Sequence, residues 1–266
     1  MQDWHTMTQA TLDDAYANAP YIPDADGYPS RWARDAAAFR ATAQHQVLDY
    51  GAGSADRLDL FHPAGPPKGL IVFIHGGYWR RFARSDWSHF AQGGLAEGYA
   101  IAMPGYPLAP SVRIREITER MAHAVETAAA RIPGPIRLTG HSAGGHLAAR
   151  LIMADAAPAC VDRIATCVPI SPVADLRPLV PQSLNVDWRL DPAEAEAESP
   201  VLGLPLQGPK IAIHVGAAER PSFLWQAKAL SDAWHVPLSQ TEGKHHFDII
   251  DALRDPTSQL MTDLLA

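Results

Sequence analysis

The sequence predicts one α/β domain built on a mostly parallel sheet with helices on both faces, and three observations carry that expectation. Five short runs are apolar on both faces: GLIVFIHGG (69–77), YAIAMPGY (99–106), IRLTGHS (136–142), ATCVPIS (165–171) and KIAIHVGA (210–217). Strands of this kind are covered on either side, as in sheets whose parallel strands are joined by helical crossovers. Helical patterns do separate them, at about 85–97, 113–131, 143–154 and 222–234, with a last helix near 257–265. Finally, the 266 residues are 47% hydrophobic and contain no linker, low-complexity run or internal repeat, so one core and one domain are expected.

In chain order, residues 1–45 carry helical and proline-rich pieces without a strand pattern and are expected to wrap the domain as an arm. HQVLDYG and DRLDLFHP then alternate apolar with polar, the pattern of an antiparallel opening pair. The five apolar strands follow. The stretch 173–208, VADLRPLVPQSLNVDWRLDPAEAEAESPVLGLPLQG, breaks the alternation and is expected to form a small lid or cap.

Several function classes drop out early. The formal net charge is -7 and no basic cluster exceeds Arg80-Arg81, so the electrostatic footprint of a nucleic-acid binder is missing and a small-molecule substrate is expected. The longest strongly apolar run, LIVFI, is too short to span a bilayer, and the opening residues lack a signal-peptide pattern. Cys160 and Cys167 fit no zinc or redox spacing and are expected to be reduced. A cytoplasmic protein without membrane association is the resulting expectation.

The string RLTGHSAGGHL (137–147) concentrates three glycines around Ser142. Ser142 lies where the run IRLTG turns into the helical run GGHLAARLIMA, and Gly140-His141-Ser142-Ala143-Gly144 matches G-x-S-x-G. In that motif the serine occupies a sharp, strained turn that lifts its hydroxyl above the sheet. A β-carbon two residues before or after would collide with the neighbouring strand or helix. The helix starting behind Ser142 aims free amides and its positive end at the same point, which favours a developing oxyanion. A plain turn with a capping serine would account for the pentapeptide alone. The second string, FIHGGYWRR (73–81) at the end of a strand, is what separates the two. Its His-Gly-Gly run resembles the oxyanion loop of lipases and esterases, which assigns amide donors to Gly77 or Tyr78 together with Ala143, and makes His75 and Gly76 supports of the loop.

A serine nucleophile needs a base and an orienting acid. Glu219 follows the strand KIAIHVG, with Asp175 as the competing acid; EGKHHFDII supplies His245 and His246. Order along the chain, serine then acid then histidine, suits either choice.

Together these strings resemble the α/β-hydrolase fold and, within it, the arylformamidases (kynurenine formamidases). The likeness rests on HGGYW, GHSAGGHLAA, ISPVADLRPL followed by SLN, and HHFDIIDAL, with LDDAYANAP and YGAGSADRLDLFHP near the start. It covers most of the chain. The resemblance favours His246, the residue immediately before an aromatic, over His245. It departs at Pro172, where the group often has glycine, and at Glu219, where the acid is often aspartate.

What the resemblance implies is a cofactor-free reaction. Ser142 attacks the formyl carbonyl of N-formylkynurenine, His246 takes and later returns the proton, and Gly77, Tyr78 and Ala143 hold the oxyanion. Trp79 and Trp188 are candidates to stack on the aryl leaving group, Tyr78 to crowd the formyl pocket, and Arg80 or Arg81 to meet the amino-acid carboxylate. No H-E-x-x-H or histidine-rich metal motif occurs, so no metal is expected. A carboxylesterase using the same residues is the alternative, and a non-catalytic binding protein on the same scaffold is a third reading.

Overall fold

The computed structural model describes residues 4–266, so the first three residues of the expected arm lie outside the described residues. Nine strands form one sheet: β1 (His45–Asp49), β2 (Arg57–Phe61), β3 (Leu70–Ile74), β4 (Ala100–Pro104), β5 (Ile136–His141), β6 (Ile164–Ile170), β7 (Lys210–Ile211), β8 (Ile213–Gly216) and β9 (Leu238–Thr241). Their order is β1-β2-β4-β3-β5-β6-β8-β9, with β7 paired to β6 beside this path. β2 runs antiparallel to β1 and β4, and the remaining pairs are parallel. The run KIAIHVGA is thus two short strands, interrupted at Ala212, whose N–H still donates to Cys167 O at 3.3 Å. β9, LSQT, has too little apolar character to stand out in the sequence because it is a half-exposed edge strand.

The helices are α1 (Gln9–Tyr16), α2 (Gly27–Arg40), α3 (Gln92–Ala96), α4 (Ile114–Ala129), α5 (Ala143–Arg150), α6 (Asn185–Trp188), α7 (Pro192–Ala197), α8 (Pro221–Trp234) and α9 (Gln259–Leu265), with a 3-10 helix at Arg84–Ala91 before α3. Alternate residues of the central strands enter two cores. Leu70, Val72 and Ile74 join residues of α1, α4, α5 and α8 on one face; Ile71 and Phe73 join Trp32, Trp87, Phe90 and Leu260 on the other. α4 shows why its sequence is helical: Ile114, Ile117, Met121, Ala124, Val125 and Ala128 recur at three- and four-residue spacing and are all buried.

The arm packs on both faces. Ser222 on α8 donates to Ala15 O at 2.5 Å, while Trp32 on α2 packs on Trp87 at 4.8 Å between ring centroids. The segment expected as a lid carries α6 and α7, but Val173, Ala174, Leu176, Leu179, Trp188 and Ala195 are all sealed in the core. Apolar burial binds these parts of it down onto the domain, and Gln182 and Leu184 of the segment reach the cavity described below.

Candidate active site

At the junction of β5 and α5 the backbone of Ser142 adopts φ 57° and ψ -116°, outside both strand and helix. A non-glycine residue there costs of order 1–3 kcal/mol and persists only where its surroundings force it. Here Ser142 N–H donates to Ile170 O on β6 (2.9 Å), and Ser142 O accepts from His146 N–H (3.0 Å). The flanking glycines permit the turn: a β-carbon on Gly140 would lie 2.2 Å from Gly144 O, and one on Gly144 would lie 2.0 Å from Ile74 O. Both obstacles are backbone. Gly144→Ala is accordingly expected to lower stability by about 3 kcal/mol or more, which a urea midpoint or the soluble yield measures.

Glu219, between β8 and α8, and His246, in the loop after β9, are both buried. Glu219 Oε2 accepts from His246 Nδ1 at 2.6 Å. Its Oε1 accepts from the Ser171 hydroxyl (2.5 Å) and the Gly216 N–H (2.9 Å). With Nδ1 donating to the carboxylate, Nε2 is the basic atom of the neutral ring. The ring lies between Phe223 (4.2 Å) and His141 (4.6 Å), and His141 Nε2 donates to His246 O at 2.8 Å. Ser142 and His246 line one cavity of about 400 Å³. The competing residues lie elsewhere: Asp175 is held by Arg177 through two contacts of 2.9 and 2.7 Å, and His245 is bound by Tyr28 and Asp248, each at 3.1 Å.

The third component is the loop after β3. Gly77, Tyr78 and Trp79 are all left-handed, with φ of 113°, 52° and 57°, and Arg80 and Arg81 N–H close the turn onto Gly77 O at 3.1 Å. Among the described residues, the N–H groups of Gly77, Tyr78 and Ala143 donate to no protein acceptor. His75 is stacked on Tyr106 at 4.3 Å and its Nδ1 donates to Gly76 O at 2.8 Å. A β-carbon on Gly76 would meet His141 O at 2.8 Å, so this loop and the serine turn are in close contact.

The two tryptophans expected to stack on substrate are not part of the cavity wall. Trp79 and Trp188 are fully buried, and neither lines the cavity. Trp79 stands edge-on to His146 and to Trp188 inside the core, and Trp188 Nε1 donates to Tyr78 O at 2.8 Å. Their expected place is taken by Trp32, Phe82, Trp87 and Phe247, with Tyr78 also in the wall. The arm contributes Asp13, Asn18, Asp26 and Trp32, whereas the 173–208 segment contributes Gln182 and Leu184. No sequence motif marks the arm residues as site residues; packing of α2 against the 3-10 helix brings Trp32 there, and packing of α1 against α8 brings Asp13.

Burial pushes His75 down to about 4 and His146 down to about 3, so both are neutral when folded. An unfolded histidine takes up its proton near pH 6.5, so between about pH 6.5 and 4 the unfolded chain binds more protons. Stability therefore falls as pH falls through that window, by about 2 kcal/mol per histidine from pH 7 to 5. Urea midpoints are expected to drop accordingly, with a shallower slope for His146→Gln, whose amide can still donate to Glu198 O as His146 Nε2 does at 2.7 Å.

A sheet of this order, with a serine on the strand-to-helix turn after β5, defines an α/β-hydrolase, and a family model described as the alpha/beta hydrolase fold matches residues 71–196. The protein belongs to that fold family. Within it, the chain is 27% identical to the kynurenine formamidase of Danio rerio, over 100% of this chain and 98% of the relative. It is 49% identical to a candidate thioesterase of solved structure from Silicibacter sp. tm1040, with TM-score 0.92 over 96% of this chain and 99% of that one. Esterase B of Lactobacillus rhamnosis shares the fold at TM-score 0.66 and 20% identity, over 90% of this chain and 91% of that one. Among the described residues no helix is long and apolar enough to cross a membrane.

Proposed function

We propose that this protein is a serine hydrolase that removes a small acyl group from an aryl amide or ester, with N-formylkynurenine as the leading substrate and kynurenine and formate as products. One observation carries the reading: Ser142 and His246 open onto the same aromatic-walled cavity while His246 is held by the buried carboxylate of Glu219. Ser142 Oγ attacks the formyl carbon as its proton passes to His246 Nε2, and Glu219 stabilises the imidazolium. Amides of Ala143 and of Gly77 or Tyr78 receive the oxyanion, each worth about 2.7–4 kcal/mol. Collapse of the tetrahedral adduct breaks the C–N bond and His246 protonates the aniline nitrogen. Water, deprotonated by His246, then attacks the formyl-serine ester, and formate leaves as Ser142 regains its proton.

The cavity wall supports an aryl compound with an amino-acid head. Trp32, Phe82, Trp87 and Phe247 offer aromatic surface, and Asp26 and Arg81 bring opposite charges to the same cavity. Arg80 is paired with Asp187 at 2.7 Å, whereas Arg81 has no carboxylate partner among the described residues and instead lies 5.3 Å from the Phe82 ring centroid. Arg81→Gln is expected to raise KM for N-formylkynurenine about tenfold, the scale of one charge-assisted hydrogen bond partly screened by solvent. The KM for neutral p-nitrophenyl acetate stays unchanged.

The 49% identity to a candidate thioesterase favours a second reading, hydrolysis of carboxylic or thiol esters by the same groups. Rates on N-formylkynurenine, p-nitrophenyl esters and acyl thioesters, with Ser142→Ala as control, separate the two. Turnover of esters or thioesters with N-formylkynurenine at background would establish the second reading in place of the first.

A further inference from the structure

We infer that Tyr78 and Trp188 are positioning residues of the oxyanion hole, and that the N-terminal arm, through the carbonyl of Tyr16, is a working part of it. This rests on the site reading given under Proposed function.

Two adjacent non-glycine residues, Tyr78 and Trp79, hold left-handed backbone. Each costs of order 1–3 kcal/mol, so the loop relaxes unless it is over-determined. Besides the two that close the turn on Gly77 O, three hydrogen bonds from outside the loop hold it, and each comes from a different part of the chain. Trp188 Nε1, in the inserted segment, donates to Tyr78 O at 2.8 Å. Ala109 N–H donates to Trp79 O at 2.9 Å. The Tyr78 hydroxyl donates to Tyr16 O at 2.7 Å.

The last of these gives the arm its part. Tyr16 ends α1, so its carbonyl is one of the helix's orphan acceptors, and Tyr78 satisfies it. That carbonyl is itself fixed. The Tyr16 hydroxyl accepts from Gln226 Nε2 at 2.8 Å, and the same Nε2 donates to Asp175 O at 2.8 Å. Gln226 Oε1 meanwhile accepts from the Ala174 and Asp175 amides at 2.8 and 2.6 Å. Burial raises the Tyr78 phenol well above its ordinary range, so it stays a donor at any working pH. Tyr78 is therefore gripped by its side chain from the arm and by its carbonyl from Trp188. Both grips act on one residue, and the Tyr78 N–H assigned to the oxyanion is attached to the same Cα that they hold.

The test uses the full-length protein with Tyr78→Phe, Trp188→Phe and the double variant. The readouts are kcat and KM for p-nitrophenyl acetate, the inhibition constant of phenylboronic acid, and Tm. Phenylboronic acid adds to the serine and puts a boronate oxygen in the oxyanion position, so its affinity follows the amides' aim. Each single variant is expected to lose 10- to 100-fold in kcat, a fraction of what loss of a whole donor costs. KM stays within threefold, and boronate affinity falls by the same factor as kcat. The double variant falls short of the product of the singles, because both changes release the same residue, Tyr78.

If kcat and boronate affinity stay within twofold of the parent in both single variants while Tm drops, the residues are structural only and the inference is wrong. An effect from Tyr78→Phe without one from Trp188→Phe also overturns it, leaving Tyr78 as a substrate contact. Should Trp188→Phe not fold, Tyr16→Phe takes its place, since it frees the arm from Gln226 without touching the loop, and the same kcat criterion applies. A parent whose activity survives Ser142→Ala refutes the site reading itself; an inactive Ser142→Ala beside an unaffected Tyr78→Phe refutes only the positioning role.

Discussion

Ser142→Ala is expected to lower kcat on any acyl substrate by about 10^4-fold or more, with Tm unchanged within a few degrees. The loss is large because the acyl-enzyme route disappears, leaving what the amide donors and binding supply alone. The fold survives because the Ser142 hydroxyl makes no capping hydrogen bond to α5 and its removal strands no buried partner. Alanine at φ 57° carries the same backbone strain as serine, so little is gained either. Adding His246→Ala to Ser142→Ala is expected to cost almost nothing further, since residues acting as one unit are strongly non-additive. Steady-state rates of the two singles and the double check both statements, and a Ser142→Ala protein within tenfold of the parent would remove the proposed mechanism.

Glu219→Gln is the second large effect, with kcat falling about 10^3- to 10^4-fold and KM nearly constant. The carboxylate accepts three hydrogen bonds, from His246, Ser171 and Gly216. An amide has one acceptor oxygen, so either orientation sets an NH2 group against at least one buried donor. Placed toward His246, it favours the wrong tautomer and removes the stabilisation of the imidazolium. Placed toward Ser171 and Gly216, it leaves the Gly216 amide unpaired. A stability loss of about 1–3 kcal/mol accompanies the rate loss. Glu219→Asp keeps the charge but loses a methylene, so it cannot span from Gly216 to His246 without moving the loop; its rate is expected to lie between those of Glu219→Gln and the parent. Urea midpoints and kcat for the pair test this ordering.

Legibility in the sequence followed how local each physical cause was. Strands β3, β4 and β5 could be read because each buries both faces, and that demand is written into consecutive residues. The turn at Ser142 could be read because nearby backbone, Gly144 O and Ile74 O, excludes any β-carbon at Gly140 and Gly144, and the glycines that this demands stand together in one short string. β9 is an edge strand with a single apolar side chain, Leu238, and gave no comparable pattern. Glu219 is the acid that the sequence favours, but Asp175 stays in competition there, since nothing local says that Arg177 holds one carboxylate while His246 meets the other. The cavity wall was least legible. Trp79 and Trp188 sit beside the catalytic strings or the expected cap, yet both serve the core, while Trp32 and Trp87 come together only through the arm's packing.

In the proposed reaction, the reacting groups and part of the wall that faces the leaving group come from separate pieces of chain. Ser142, Glu219 and His246 sit in strand-end loops sealed by the sheet and its helices, whereas Asp13, Ala25, Asp26, Pro29 and Trp32 belong to a strap laid over the outside. Away from Tyr16, whose carbonyl holds the Tyr78 hydroxyl, substitutions in that strap can retune which acyl donors are accepted while the reaction centre keeps its shape, so homologues differing mainly before β1 are expected to diverge in selectivity before they diverge in mechanism.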